Sequence, residues 1–151
     1  MTLPKTILVP TDFGAGSDHA VVYAADLAKA LGAELIIMHA YEIPMVGFPD
    51  GAFIASPELA ARVSDGAQEG LKHALALTQG KGVSARTMLK QGPTWRTIIE
   101  TSDEANAGMI VMGTHGRHGL PRALLGSVAE KVVRTAHCPV LTVHTQDRAD
   151  P

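Results

Sequence analysis

The sequence predicts an α/β domain built on an open five-stranded parallel sheet with helices on both faces. Three observations lead there. Short, largely continuous apolar runs recur at 6–10, 34–40, 83–90, 108–112 and 138–143, as strands buried on both faces require. Segments of helical spacing separate these runs, and β-α alternation of this kind closes into a parallel sheet through right-handed crossovers. The length, 151 residues, suits one domain able to bury about 70% of its unfolded surface. The domain is expected over 1–145, with 146–151 a flexible polar tail.

Taken in order, Thr6-Ile7-Leu8-Val9-Pro10 is the first strand, ended by Thr11-Asp12-Phe13-Gly14-Ala15-Gly16. Ser17 is the expected N-cap of a helix over 18–31. Its apolar face is Val21, Ala24, Ala25, Ala28 and Leu31, and Gly32 stops it. After the second strand, Pro44, Gly47, Pro49 and Gly51 break any periodicity, so 41–56 reads as a loop. A βα connection this long is often functional. Ser56-Pro57-Glu58 then starts a helix running to about 78 on Leu59, Val63, Ala67, Leu71 and Leu75. Gly66 and Gly70 weaken it. The 83–90 run alternates and belongs near a sheet edge. Gly92-Pro93-Thr94 turns into a helix with Trp95, Ile98 and Ile99 on one face. The fourth strand, 108–112, feeds a glycine-rich loop and a helix over 128–136, and 138–143 is the last strand.

Bulk properties narrow the class. The hydrophobic fraction is 46% and the net charge −2, which suggests neither disorder nor a nucleic-acid partner. The lone Cys138 excludes an internal disulfide framework and fits a reducing compartment. The first residues lack a signal-peptide pattern, and no apolar run approaches the ~20 residues of a membrane span. A soluble cytoplasmic protein is expected, with no nucleic acid and no membrane as partner.

The chemistry concentrates in Gly113-Thr114-His115-Gly116-Arg117-His118-Gly119-Leu120-Pro121, followed by Gly126-Ser127. Strand, glycine loop and helix start bring backbone N–H groups and the positive end of a helix dipole to one point, an anion site. Asp12 lies in the loop after the first strand. If the first and fourth strands are neighbours, both loops face the crevice where the sheet's winding reverses.

Two familiar phosphate motifs do not fit. Gly80-Lys81-Gly82 lacks the remainder of a Walker A loop, and Gly14-Ala15-Gly16-Ser17-Asp18-His19 lacks the third glycine of a dinucleotide fingerprint. Gly113-x2-Gly116-x9-Gly126-Ser127, by contrast, meets every fixed position of G-x2-G-x9-G-[S/T], the phosphate motif of ATP-binding universal stress proteins. Ile7-Leu8-Val9-Pro10-Thr11-Asp12, Gly126 to Lys131 and Cys138-Pro139-Val140-Leu141 resemble that family too.

The resemblance implies an adenine nucleotide alpha hydrolase-like sheet of order 3-2-1-4-5, with the nucleotide between strands one and four. It implies that Pro10, Thr11 and the Ala40 backbone border adenine. Asp12 would hold the ribose hydroxyls or a Mg2+-bridged phosphate. Met112 and Gly113 would line the ribose side. Gly116, Gly119, Gly126, Ser127 and Val128 would cradle phosphates, with His115, Arg117, His118 and Arg122 offsetting their charge. It also implies a homodimer through the last strand, Val140, Leu141, Thr142 and Val143, an edge strand whose unpaired backbone a second copy would satisfy. Gly14 and Gly16 depart from the serines common in relatives, implying a looser first loop. Ala40 replaces a valine, implying a roomier base pocket.

Simpler structural roles are expected elsewhere. His39 ends a buried strand as a satisfied polar group, Cys138 is an inert buried thiol, Trp95 packs, and Ser127 caps its helix. No residue set has transition-metal spacing. The function expected is a stress-response module that binds ATP with little turnover, since no activated nucleophile or positioned base is visible. The alternatives are a slow ATPase or phosphotransferase, and a structural dimer that binds no nucleotide.

Overall fold

A computed structural model of the chain describes residues 2–114 and 125–145. Its main sheet has five strands, β1 (Thr6–Pro10), β2 (Glu34–Tyr41), β5 (Ala85–Gln91), β6 (Met109–Gly113) and β7 (Val140–Val143). They lie in the order β5-β2-β1-β6-β7, every pair parallel. In terms of sheet strands this is 3-2-1-4-5, as expected, with the alternating 83–90 run and the last strand at the two edges. The order reverses between β1 and β6. The central strands are fully buried at Ile7, Leu8, Val9, Leu35, Ile36, Ile37, Met38, Ile110 and Val111, the cost-free fate of residues with apolar groups toward both faces.

Alternation along each strand divides the core in two. Ile7, Val9, Leu35, Ile37 and Val111 meet α1 (Ala15–Leu31) and α2 (Pro57–Ala76). Leu8, Ile36, Met38, Ile110 and Met112 meet α3 (Thr94–Glu104) and α4 (Ser127–Thr135). The buried stripe of α1 is mostly alanine, so this helix lies close to the sheet. It ends as the sequence predicts. Gly32 takes φ +66°, and the Ala33 N–H donates to the Ala28 carbonyl at 2.8 Å, a six-to-one closure that a left-handed residue permits.

Three local expectations are corrected. Ser17 does not cap α1: the helix begins three residues earlier than expected, at Ala15, and its N-cap is Gly14, which makes no side-chain cap bond. Ser127 does not cap α4 either; Gly126 occupies that position and Ser127 is the first helical residue. The 41–56 stretch is not irregular throughout, because β3 (Met45–Gly47) and β4 (Phe53–Ala55) pair there as an antiparallel hairpin. Each departure has a local cause. The Ser17 side chain is engaged with Asp12 and gives up the cap, Gly126 takes the position before Ser127 in α4, and a cross-strand apolar pair, Val46 with Ile54, organises a hairpin that glycine and proline counts hide. Ser56 does cap α2, accepting from the Leu59 N–H at 3.3 Å, with Pro57 next.

The two glycines of α2 differ. A Cβ on Gly66 would meet nothing within 4 Å, whereas one on Gly70 would come 2.6 Å from the Phe13 ring. Gly66→Ala should therefore raise stability by about 0.5–1 kcal/mol through lost unfolded-state freedom. Gly70→Ala should cost about 1–3 kcal/mol by overpacking. Thermal denaturation of the two variants, read side by side, checks the contrast; equal shifts of one sign would refute it.

Candidate functional site

The loop leaving β1 is fixed by its own side chains. The Thr11 N–H continues the ladder to the Met38 carbonyl at 2.8 Å. The Thr11 Oγ1 accepts from the Phe13 N–H at 3.0 Å, which helps hold Phe13 at φ +66°, a left-handed conformation that a bulky residue adopts only under restraint. Its carbonyl oxygen lies 2.7 Å from His39 Nδ1. A carbonyl can only accept, so Nδ1 carries the proton. The Phe13 and His39 rings stack with centroids 4.2 Å apart. His39 is the satisfied polar residue that the sequence implies, and the satisfaction locks the loop.

Asp12 follows Thr11. Its Oδ1 accepts from the Gly14 N–H at 2.9 Å and from the Ser17 hydroxyl at 2.7 Å. The Ser17 Oγ in turn accepts from the Asp12 N–H at 3.1 Å. A short polar side chain bonding a backbone N–H two residues on is a self-contained turn. Ser17 doubles it, and this engagement explains why Ser17 leaves the helix cap empty. Among the described residues, the Asp12 Oδ2 takes no hydrogen bond. The carboxylate is thus aimed by one oxygen and available through the other.

The end of β6 meets this loop backbone to backbone. A Cβ on Gly113 would lie 3.2 Å from the Gly16 carbonyl oxygen and 3.3 Å from its carbon, so a side chain here would push the strand end off the first turn of α1. Gly16 gives the strand end a backbone to rest on. Beyond Gly113, the Thr114 N–H donates to the Val143 carbonyl at 3.3 Å, and the Gly126 N–H donates to the Thr114 carbonyl at 2.7 Å. The chain therefore returns to the carboxyl end of β6 just where α4 begins. Among the described residues no side chain caps α4, whose N-cap is Gly126, and the positive end of its dipole faces the sheet's carboxyl edge.

Pro10, Thr11, Asp12, Ala40, Met112, Gly113, Gly126, Ser127 and Val128 thus come to the carboxyl ends of three neighbouring strands, β2, β1 and β6, and the start of α4. Met112 belongs to the core on the α3–α4 face, and Ala40, Leu125 and Val128 pack against that core. His115, Gly116, Arg117, His118, Gly119 and Arg122 lie outside the described residues. A cleft of about 380 Å³ opens on the other face, lined by Asp12, Phe13, His39, Val63, Gly66 and Ala67.

Ser17, Phe13 and His39 are the residues whose part in shaping this site the sequence reading missed. One signal was available for Ser17: a serine five positions after an aspartate, across Gly-Ala-Gly, can reach back over a tight turn. Trp95 packs against the α3–α4 core, as expected, with Arg96 Cζ 5.5 Å and Lys131 Nζ 5.7 Å from its ring. Cys138 is only half-buried, its Sγ 3.5 Å from the Ser102 Oγ.

Fold and site together define a doubly wound α/β protein of the adenine nucleotide alpha hydrolase-like kind, with an aspartate turn and an uncapped helix start at its switch point. The family model described as Universal stress protein family matches residues 4–144, and the chain belongs to that family. It is 38% identical over 143 residues to universal stress protein MJ0531 of Methanocaldococcus jannaschii, a match covering 93% of this chain and 82% of that protein. Among solved structures, the MJ0577 protein shares the fold with a TM-score of 0.79 at 22% identity, over 97% of this chain and 99% of that one. A universal stress protein crystallised in complex with cAMP matches with a TM-score of 0.74 at 28% identity, over 96% and 100% of the two chains.

Two substitutions test the geometry without reference to any ligand. Ser17→Ala removes both bonds to Asp12 and should cost about 1–3 kcal/mol. Gly113→Ala should also destabilise, by about 1–3 kcal/mol, through the Gly16 contact. Chemical denaturation midpoints check both; a neutral Gly113→Ala would mean that β6 and α1 do not touch as described.

Proposed function

We propose that this universal stress protein binds ATP at the crevice between β1 and β6 and acts as a cytoplasmic stress-response module with little or no turnover. The observation that carries the reading is the convergence of the Asp12 turn and the uncapped start of α4 on two adjacent strand ends. An anion between them would find backbone N–H donors and a helix dipole on one side and an oriented carboxylate on the other. Such a carboxylate suits ribose hydroxyls, which donate, or a Mg2+ ion bridging to phosphate. The intact G-x2-G-x9-G-S spacing and the cAMP complex of a 28% identical relative support an adenine nucleotide as the ligand.

The roles follow from position. Gly126, Ser127 and Val128 would offer main-chain N–H groups, and the Ser127 hydroxyl, free of capping duty, a further donor. Gly113 would let the ribose approach the strand end closely. Thr11, Pro10 and Ala40 would border the base. In the loop between, Gly116 and Gly119 would admit the phosphates, with His115, Arg117 and His118 supplying positive charge. Bound Mg2+ would contribute charge neutralisation between the phosphates and Asp12. The protein is also proposed to form a homodimer through β7, whose outer edge has no partner strand among the described residues.

Calorimetric titration of the purified protein with ATP, ADP and cAMP tests the nucleotide reading. Asp12→Ala and Gly126→Val should each weaken ATP at least about tenfold, a loss of ~1.4 kcal/mol, while keeping the native circular dichroism. No heat with any of the three nucleotides would end the proposal. Phosphate release above about one per second, lost in Asp12→Ala, would favour an ATPase instead. For the dimer, Leu141→Lys should shift the sedimentation mass toward the monomer; an unchanged mass would count against pairing through β7.

A further inference from the structure

The β3–β4 hairpin carries a surface that the nucleotide reading does not use. Met45, Val46, Phe48, Phe53 and Ile54 are 57%, 44%, 47%, 68% and 56% exposed, five of the eight large apolar side chains most open to water among the described residues. The two strands pair only with each other. Their register sets Val46 opposite Ile54 and Gly47 opposite Phe53, so neighbouring positions send apolar groups to both faces. On one face the Phe53 ring lies over Gly47, where a Cβ would come 3.1 Å from its Cε1. A two-stranded hairpin is marginal by itself in water, and an apolar cluster of this kind marks an interaction surface.

The charge around the cluster selects the partner. From residue 42 to residue 61 the chain contains Glu42, Asp50 and Glu58 and no lysine or arginine; the first cation after them is Arg62, one turn further along α2 than Glu58 and not ion-paired with it. None of the three carboxylates forms an ion pair among the described residues. Asp50 accepts from the Ala52 N–H at 3.0 Å and Glu58 from the Ser56 hydroxyl at 3.1 Å, bonds that leave their negative charge uncompensated. A second copy of the hairpin would bring like charges together, and an anionic lipid surface would repel the rim.

We propose that the hairpin docks a basic amphipathic helix of a partner protein, its apolar stripe covering Phe53 and Ile54 and its lysines or arginines meeting Glu42, Asp50 and Glu58. The hairpin leaves the sheet directly after Ala40 and Tyr41 and rejoins the body at the Ser56 cap of α2. It springs from the carboxyl end of β2, which β1 and β6 separate from β7. A helix seated there would leave β7 open to a second copy.

The test uses the full chain and two labelled helical peptides with the same leucine stripe, one with lysine and one with glutamate on the polar face. Fluorescence anisotropy should show the lysine peptide binding, more weakly as salt rises, and the glutamate peptide not binding. Phe53→Ser and Ile54→Ser should each weaken the lysine peptide about tenfold or more with the melting temperature nearly unchanged, because the hairpin lies outside both cores. Glu42→Lys with Glu58→Lys should exchange the preference between peptides. Equal binding of both peptides, binding of neither, or full affinity in Phe53→Ser and Ile54→Ser would overturn the proposal. So would capture by anionic phosphatidylserine vesicles, or a sedimentation mass that falls in Phe53→Ser, which would assign the surface to lipid or to a second copy.

Discussion

The close approach of Gly113 to Gly16 is the constraint on which the rest of the site depends. A sheet whose order reverses between β1 and β6 leaves a gap at the strand ends, because the crossovers on either side run to opposite faces. The gap becomes a shaped crevice only if the two loops that border it are held in register. Here the register is set by backbone on backbone. The end of β6 rests on the first turn of α1, and that turn is tied to Asp12 through Ser17 and Gly14. The return of the chain at Gly126, bonded to Thr114, then sets the start of α4 against the same strand end. Three elements distant in sequence are aligned by one contact that a side chain would crowd and by a handful of short hydrogen bonds.

The fold was legible because its signals are collective. Five apolar runs separated by helical spacing leave few topologies once right-handed crossovers are imposed; the edge position of β5 follows from its alternation, while the strand order, with β7 at the other edge, is what the family resemblance implies. Helix ends set by glycine, such as Gly32, or by Ser56 with Pro57, were legible for the same reason: the residue has one job there. Ser17 was misread because it has two. Its hydroxyl has the capping chemistry that the position suggests, but the Asp12 N–H and carboxylate bind it from the N-terminal side, and local propensity yields to that pair. The hairpin was hidden because its turn residues carry the signal of a loop and its strands are only three residues each. Periodicity over so short a run cannot be distinguished from chance.

Of the candidate site, the residues on strands and on α4 were legible by position, since a motif anchored to strand ends inherits the certainty of the sheet. The restraints on Phe13 and His39 were not. They arise from contacts across β1 and β2, between residues 28 apart in the chain for His39 and Thr11, and from the space that Gly70 leaves for the Phe13 ring. A glycine read from sequence as a weak point in α2 turns out to be the seat of the aromatic ring beside Asp12. The same helix holds Gly66, which seats nothing, and only the third dimension separates the two.

The kind of donors in the crevice bears on the proposed lack of turnover. Main-chain N–H groups at a helix start are fixed, preorganised donors for a phosphate. Interactions of equal strength in both states improve binding without lowering the barrier between them. Acceleration would need a group that responds to the reaction, such as a base placed to take a proton from water. Asp12 is poorly suited to that part. One carboxylate oxygen already accepts two hydrogen bonds that tie it to its own loop, and the remaining oxygen would be engaged by ribose or metal. His39 donates its Nδ1 proton to the Thr11 carbonyl and lies against the Phe13 ring, contacts that fix its orientation against the loop. On the proposed reading, a crevice built from such parts would hold a nucleotide without needing to consume it.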